Sequence, residues 1–196
     1  MGSLLIILVF LGVVAVVVLW GVGIYNGLIT ARNAFRNAFA QIDVQLQRRF
    51  DLIPNLVETA RAYMSHERET LEAVTAARTA AQSGLAAAKA NPGDPEAMAT
   101  LAATQGQLNG VLGRLMMVAE AYPDLKANQN MMQLTEELTS TENRVAFARQ
   151  AYNDSVMAYN NKREVFPSSV IAGMFKFDAA ALLDIPADRA EVRAAP

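Results

Sequence analysis

Cysteine is absent from the 196-residue chain, and histidine occurs once, at His66. The first absence excludes a disulfide framework, a thiolate zinc site, a lipidated cysteine and a cysteine nucleophile. The second leaves histidine-based triads and metal centres almost without material. Charged residues make up 18% and the net charge is -2, so the basic excess of a nucleic-acid binder is missing. Glycine (11) and proline (7) are sparse for this length. No alternating valine- or isoleucine-rich segment with hairpin signals follows residue 30, which favours helix over sheet. There is no glycine-rich phosphate loop and no Gly-x-Ser-x-Gly elbow. The composition argues against an enzyme, and no cofactor, metal or nucleic-acid partner is expected.

What the chain does contain is a long apolar run. From Leu4 to Tyr25 no residue is charged, and the first charge is Arg32. A helix of about 20 residues crosses a hydrocarbon layer of roughly 30 Å. A lone span in lipid must satisfy its own backbone, which only a helix does. Trp20 and Tyr25 stand near its C-terminal end, where amphipathic rings favour the interface. No basic residue precedes the run, the run exceeds a signal-peptide core, and Trp20 to Tyr25 makes a poor cleavage site. A retained transmembrane helix is expected over residues 4–25, after a tail of residues 1–3. Arg32, Arg36, Arg48 and Arg49 follow it, against Asp43 alone before Asp51. The positive-inside rule then places the N-terminus outside and the C-terminal domain in the cytoplasm, at a bacterial inner membrane.

Beyond the run the apolar period becomes helical. Leu28, Phe35 and Ile42 recur at seven, interleaved with Phe39, Leu46 and Ile53. That is a heptad seam, and no turn cluster separates it from the span. At Arg48–Pro54, stop and start signals coincide: two arginines suit a last turn, Asp51 a cap and Pro54 a first turn. A reversal is expected there, although the heptad phase continues through Ile53 and Leu56, as a kinked continuous helix would require. A second helix carries Val57, Ala60, Met64, Leu71, Val74, Ala81 and Leu85 on one stripe. It ends at Asn91–Pro95, where Asp94 caps a third helix with Pro95 at its first position. Met98, Leu101, Leu108, Leu112 and Leu115 form the third stripe, and Tyr122-Pro123-Asp124 closes it. Met131, Leu138, Val145, Tyr152 and Tyr159 give the fourth, which stops at Phe166-Pro167.

The expected fold class is therefore all-α. A single N-terminal transmembrane helix continues into an antiparallel, up-and-down four-helix bundle over residues 26–166. An even helix count returns the chain to the end where it left the membrane. The tail, residues 167–196, is thus expected to be partly membrane-proximal and partly disordered. Its apolar stretch Val170–Phe177 either lies in the headgroup region or caps the bundle.

Few residues suggest a site. Gly23, Gly27 and Ala31, spaced by four, form a candidate helix-association face. The Ala-rich stretch from Ala76 to Ala90 leaves a smooth flank for a second subunit. His66 and Glu69 have a chelating spacing, but no second histidine completes a di-iron set, so a solvated face is expected. Glu136 and Glu137 are adjacent and point apart, which is no acid–base pair. Arg48 and Arg49 are expected to tie helices together through ion pairs.

Several strings carry a family resemblance. They are Tyr25-Asn26-Gly27-Leu28, Ala31-Arg32-Asn33, Ala40-Gln41-Ile42-Asp43-Val44-Gln45-Leu46-Gln47-Arg48-Arg49 and Asp51-Leu52-Ile53-Pro54-Asn55-Leu56-Val57-Glu58-Thr59. Further strings are Tyr122–Asn128, Glu136–Arg144 and Ala148–Asn153. Together they resemble the LemA family over nearly the whole chain after residue 25, with Phe39 standing where a tryptophan is expected. The resemblance implies a single-pass bacterial membrane protein with a helical cytoplasmic bundle and no assigned catalytic residues. One magnetosome-associated branch is linked to membrane invagination, and other members are encoded near a membrane metallopeptidase. The expected function is a self-associating membrane scaffold. The alternative is an adaptor that docks a membrane protease. The lipid bilayer and further copies of the chain are the expected partners.

Overall fold

The computed structural model describes residues 2–185. The disorder expected of the last ten residues concerns positions outside that range. Among the described residues every regular element is helical. Helix α1 runs from Gly2 to Arg61, α2 from Arg68 to Ala90 and α3 from Pro95 to Ala119. A short α4 (Pro123–Lys126) leads into the long α5 (Gln129–Glu164), followed by α6 (Ser168–Met174). Helices α1, α2, α3 and α5 alternate in direction and form the bundle. The seam residues expected from periodicity are buried on all four: Leu28, Phe39 and Leu46 on α1, Val74 on α2, Leu108 on α3 and Tyr152 on α5 among them. Turn chemistry acts as expected at α3, where the Asp94 carboxylate accepts from the Ala97 amide at 2.9 Å. Asn128 caps α5 in the same way, accepting from the Met131 amide at 3.0 Å.

The reversal expected at Arg48–Pro54 does not occur. Helix α1 passes through Pro54 for 60 residues, about 90 Å at the helical rise, and turns only after Arg61. Asp51 is thus a mid-helix surface residue rather than a cap, and Val57 and Ala60 extend the stripe of α1. The reason lies in the neighbouring helix. Proline has no N–H, so the carbonyl four residues back, that of Phe50, lacks its helical donor. Arg78 of α2 supplies one: its Nε donates to the Phe50 oxygen at 2.6 Å. His66 consequently stands in the α1–α2 turn, exposed, and not on a helix with Glu69.

The helices are tied by specific pairs. Lys89 of α2 meets Asp43 of α1 at 2.7 Å, and Arg49 of α1 meets Glu142 of α5 at 3.7 Å. Aromatic rings fill the membrane-proximal part of the α1–α5 seam. Phe35 lies 5.1 Å from Tyr159 and Phe39 lies 5.7 Å from Tyr152, centroid to centroid. Aromatic pairs of this kind each add about 0.5–1.5 kcal/mol beyond area burial. Helices α2 and α3 approach closely at Gly84, where a Cβ would stand 2.5 Å from Thr104 Oγ1 and 3.5 Å from the Leu101 Cα. Thr104 cannot swing away cheaply, because it is β-branched and its hydroxyl donates to the Thr100 carbonyl at 2.9 Å. Gly84→Val is expected to destabilise the chain by about 1–3 kcal/mol through overpacking, read as a lower thermal midpoint by circular dichroism.

Candidate membrane anchor and docking groove

The first half of α1 is the least ambiguous surface of the molecule. Its apolar window has a mean hydropathy of 3.1 and none of it is buried by the rest of the chain. Leu4 through Leu19 project freely, and Trp20 is 58% exposed. By length and composition this segment can cross a membrane. It is one helix with the core-forming half, so span and bundle are mechanically continuous.

The three small residues expected to form an association face have different surroundings. Gly23 is open, with nothing within 4 Å of a built Cβ. Gly27 lies under the α5 side chain of Lys162, whose Nζ would stand 2.6 Å from such a Cβ. Ala31 is half-buried against the core. Close approach at Gly27 and Ala31 thus serves the chain's own bundle. On the Ala-rich flank of α2, Ala76, Ala86, Ala87 and Ala90 are exposed, while Ala81 and Ala88 are buried.

A second surface lies at the far end of the bundle. The space between α3 and α5 there is an apolar groove of about 760 Å³. Met116 and Ala119 line it from α3, and Met131, Met132, Thr135 and Thr139 from α5. Phe147, 74% exposed, continues the α5 face four residues beyond Asn143 at the groove's edge. Arg49 pairs with Glu142, which places the groove beside residues after about Arg48 of α1. Counted from Tyr25, it stands roughly 35–50 Å along the helix axis. Glu120, Lys126, Glu136, Ser140 and Asn143 add polar atoms to the lining, yet most of its exposed surface is apolar.

A third feature was not foreseen from periodicity. The segment Phe177–Ile185 is extended and straps along α5. The Asn160 side chain accepts from the Ala180 amide at 3.0 Å and donates to the Ala180 carbonyl at 2.8 Å. Asn153 repeats this with Leu183, at 2.9 and 3.1 Å. The Tyr159 and Tyr152 hydroxyls donate to the carbonyls of Asp178 and Ala181, each at 2.8 Å. Side-chain amides here imitate a neighbouring strand. The register works because seven residues of helix and three of extended chain both advance about 10 Å. Burial pushes the Tyr152 phenol well above its ordinary pKa, so it remains a neutral donor. The Ala181 amide also donates to the Gly93 carbonyl at 2.8 Å, fastening the strap to the α2–α3 turn. The signal was present in the sequence: the tripeptide Ala-Tyr-Asn recurs at residues 151 and 158. The tyrosines lie on the apolar stripe of α5, whereas periodicity carries no signal for the asparagines beside them.

Among the described residues no group of three or more His, Asp or Glu side chains is placed to hold a metal ion. The three surfaces are apolar or structural. The pattern of the LemA family matches residues 38–196, which take in α1 from residue 38 onward, helices α2 to α6 and the strap. The chain belongs to the LemA family. Protein LemA of Metamycoplasma hominis is 25% identical over 178 residues, covering 88% of this chain and 77% of that protein. Magnetosome protein MamQ 2 of Paramagnetospirillum magneticum is 25% identical over 80% of this chain and 63% of its own length. Magnetosome protein MamQ of Magnetospirillum gryphiswaldense is 25% identical over 69% of this chain and 56% of its own. The chain spans less than two thirds of these magnetosome relatives. LemA membership and the apolar first half of α1 together support a membrane-associated protein.

Proposed function

We propose that this LemA-family chain is a membrane-anchored, non-catalytic scaffold that self-associates and organises the bilayer holding it. The span is one helix with the bundle, so every copy carries its groove at the same height above the membrane. Confinement to a plane at a common height raises the effective concentration of one groove for another. The observation that carries the reading is the groove itself, apolar and flanked by the exposed Phe147. A bare apolar surface of this kind marks an interaction site. Within the bilayer, Gly23 is open for close approach of a second span. The arginine excess after the span orients the bundle to the cytoplasm at a bacterial inner membrane. The magnetosome relatives fit the membrane-associated part of this reading.

A second reading has one observation behind it. Met116, Met131 and Met132 give the groove flexible, polarizable walls, which suit an amphipathic helix from another protein, such as a membrane protease docked by an adaptor. Light scattering of the full-length protein in mild detergent separates the two. The scaffold reading expects a protein mass, after subtraction of bound detergent, of at least two 21.2 kDa chains. It expects Met132→Glu with Phe147→Glu to return the monomer at the same helical content. A wild-type monomer at all working concentrations sinks it, and a stoichiometric partner retained by a monomer establishes the adaptor instead.

A further inference from the structure

Helix α5 does not end where the bundle ends. Lys162 already lies against Gly27 of α1, and the chain continues toward the apolar half of α1 before turning at Val165–Pro167. On the return, Ile171 of α6 packs beside Gly21, its Cδ1 3.9 Å from where a Cβ would stand. Six residues of α1 separate Gly27 from Gly21, about 9 Å along the axis. The elbow between α5 and α6 therefore reaches the level of Trp20 and Gly21, inside the uncharged run that ends at Tyr25. Phe175 and Phe177 then climb back along the Tyr25 ring, at 4.9 and 5.5 Å between centroids.

The side chains of this elbow are sorted by face. Ala172 is buried and Ile171 half-buried against the bundle. The opposite face carries Val170 and Met174, four apart, with Phe166 at the elbow tip. Phe166 is 82% exposed and Met174 70%. Val165 and Phe175 beside them are exposed as well. A helix apolar on both faces needs an apolar medium on both. Here α1 supplies one, and among the described residues none supplies the other. The basic residues of the elbow, Lys162, Arg163 and Lys176, all fall on its bundle side in sequence, where headgroups would lie.

We propose that the α5–α6 elbow is a second membrane contact, with Phe166, Val170 and Met174 set into the headgroup–acyl boundary beside the transmembrane helix. The proposal rests on the reading of residues 4–25 as a membrane span. Continuity with that span selects lipid over a protein partner, since whatever surrounds Trp20 and Gly21 also surrounds Phe166. The expected depth is that of interfacial helices, about 5–10 Å into the headgroup–acyl boundary. Two contacts fix the rotation of the bundle about the axis of α1 and its tilt, which a single span leaves free.

The cysteine-free chain makes the test direct. Single cysteines are introduced as Phe166→Cys, Met174→Cys, Val13→Cys and Phe147→Cys, each in full-length protein carrying an environment-sensitive fluorophore. Each is placed in nanodiscs holding one copy, with nitroxide-labelled lipids at a shallow or a deep position. The Val13 probe is expected to be quenched by the deep label and the Phe147 probe by neither. The Phe166 and Met174 probes are expected to respond to the shallow label, at least half as strongly as Val13 responds to the deep one. If both behave like Phe147 while Val13 is quenched, the second contact is refuted and the anchor stands. If Val13 is itself unquenched, the span reading fails and takes the elbow with it. Two independent elbow positions, both exposed, guard against a single misfolded variant, and helical content by circular dichroism checks each.

Discussion

Arg78→Met is expected to lower the stability of the full-length protein by about 1.5–3 kcal/mol, the usual worth of a hydrogen bond with one charged partner. The loss arises at Pro54. Its ring removes the donor for the Phe50 carbonyl, and the Arg78 Nε at 2.6 Å takes that place. Without Arg78 the carbonyl is left to water at a partly buried helix junction. A double-mutant cycle isolates this cause. In a Pro54→Ala background the alanine N–H reaches the Phe50 carbonyl, so Arg78→Met should then cost less, by a coupling of about 0.5–3 kcal/mol. Thermal unfolding in one detergent, followed by circular dichroism, supplies the four midpoints. Equal penalties in both backgrounds would show that Arg78 acts only through packing.

Asn160→Leu and Asn153→Leu are expected to cost about 2 kcal/mol each, since each strips the strap of one donor and one acceptor. The half-buried position of the strap keeps this below the full penalty for two orphaned groups. Hydrogen exchange gives the sharper readout. The amides of Ala180 and Leu183, held by the asparagine side chains at 3.0 and 2.9 Å, should exchange far faster in the corresponding variants. The rest of α5 should not change. Asn153→Asp discriminates further. It keeps the acceptor for the Leu183 amide but turns a carboxylate toward the Leu183 carbonyl, so it should lose about as much as leucine does. Full retention of stability by the aspartate would falsify two-sided amide pairing.

The anchor, the strap and the elbow divide the work of positioning the bundle. The strap joins α5 to the α2–α3 turn through Gly93 and Ala181, and the same segment begins at the elbow beside Tyr25. A disturbance at the membrane end of α6 thus has a covalent and hydrogen-bonded route along α5 toward the aromatic layer of Phe35 and Phe39.

Which faces of the helices are buried was legible in the sequence. Leu28, Phe35 and Ile42, and later Met131, Leu138, Val145, Tyr152 and Tyr159, needed only their spacing of seven, because apolar side chains at that period share one side of a helix. The turn at Asn91–Asp94 and the Asp94 cap were equally local, as was the uncharged run from Leu4 to Tyr25. The family strings around Arg48–Thr59 were readable too, yet the helix boundary within them was not. Tertiary structure decided that Pro54 lies inside α1, because the donor replacing its missing N–H sits on Arg78, 28 residues from the carbonyl it serves. It also decided that Gly27 lies beneath Lys162, that Asn153 and Asn160 grip an extended strap, and that the α3–α5 seam opens into a groove. Periodicity reports how a residue relates to its own helix, whereas each of these outcomes depends on a polar group or side chain delivered from another part of the chain.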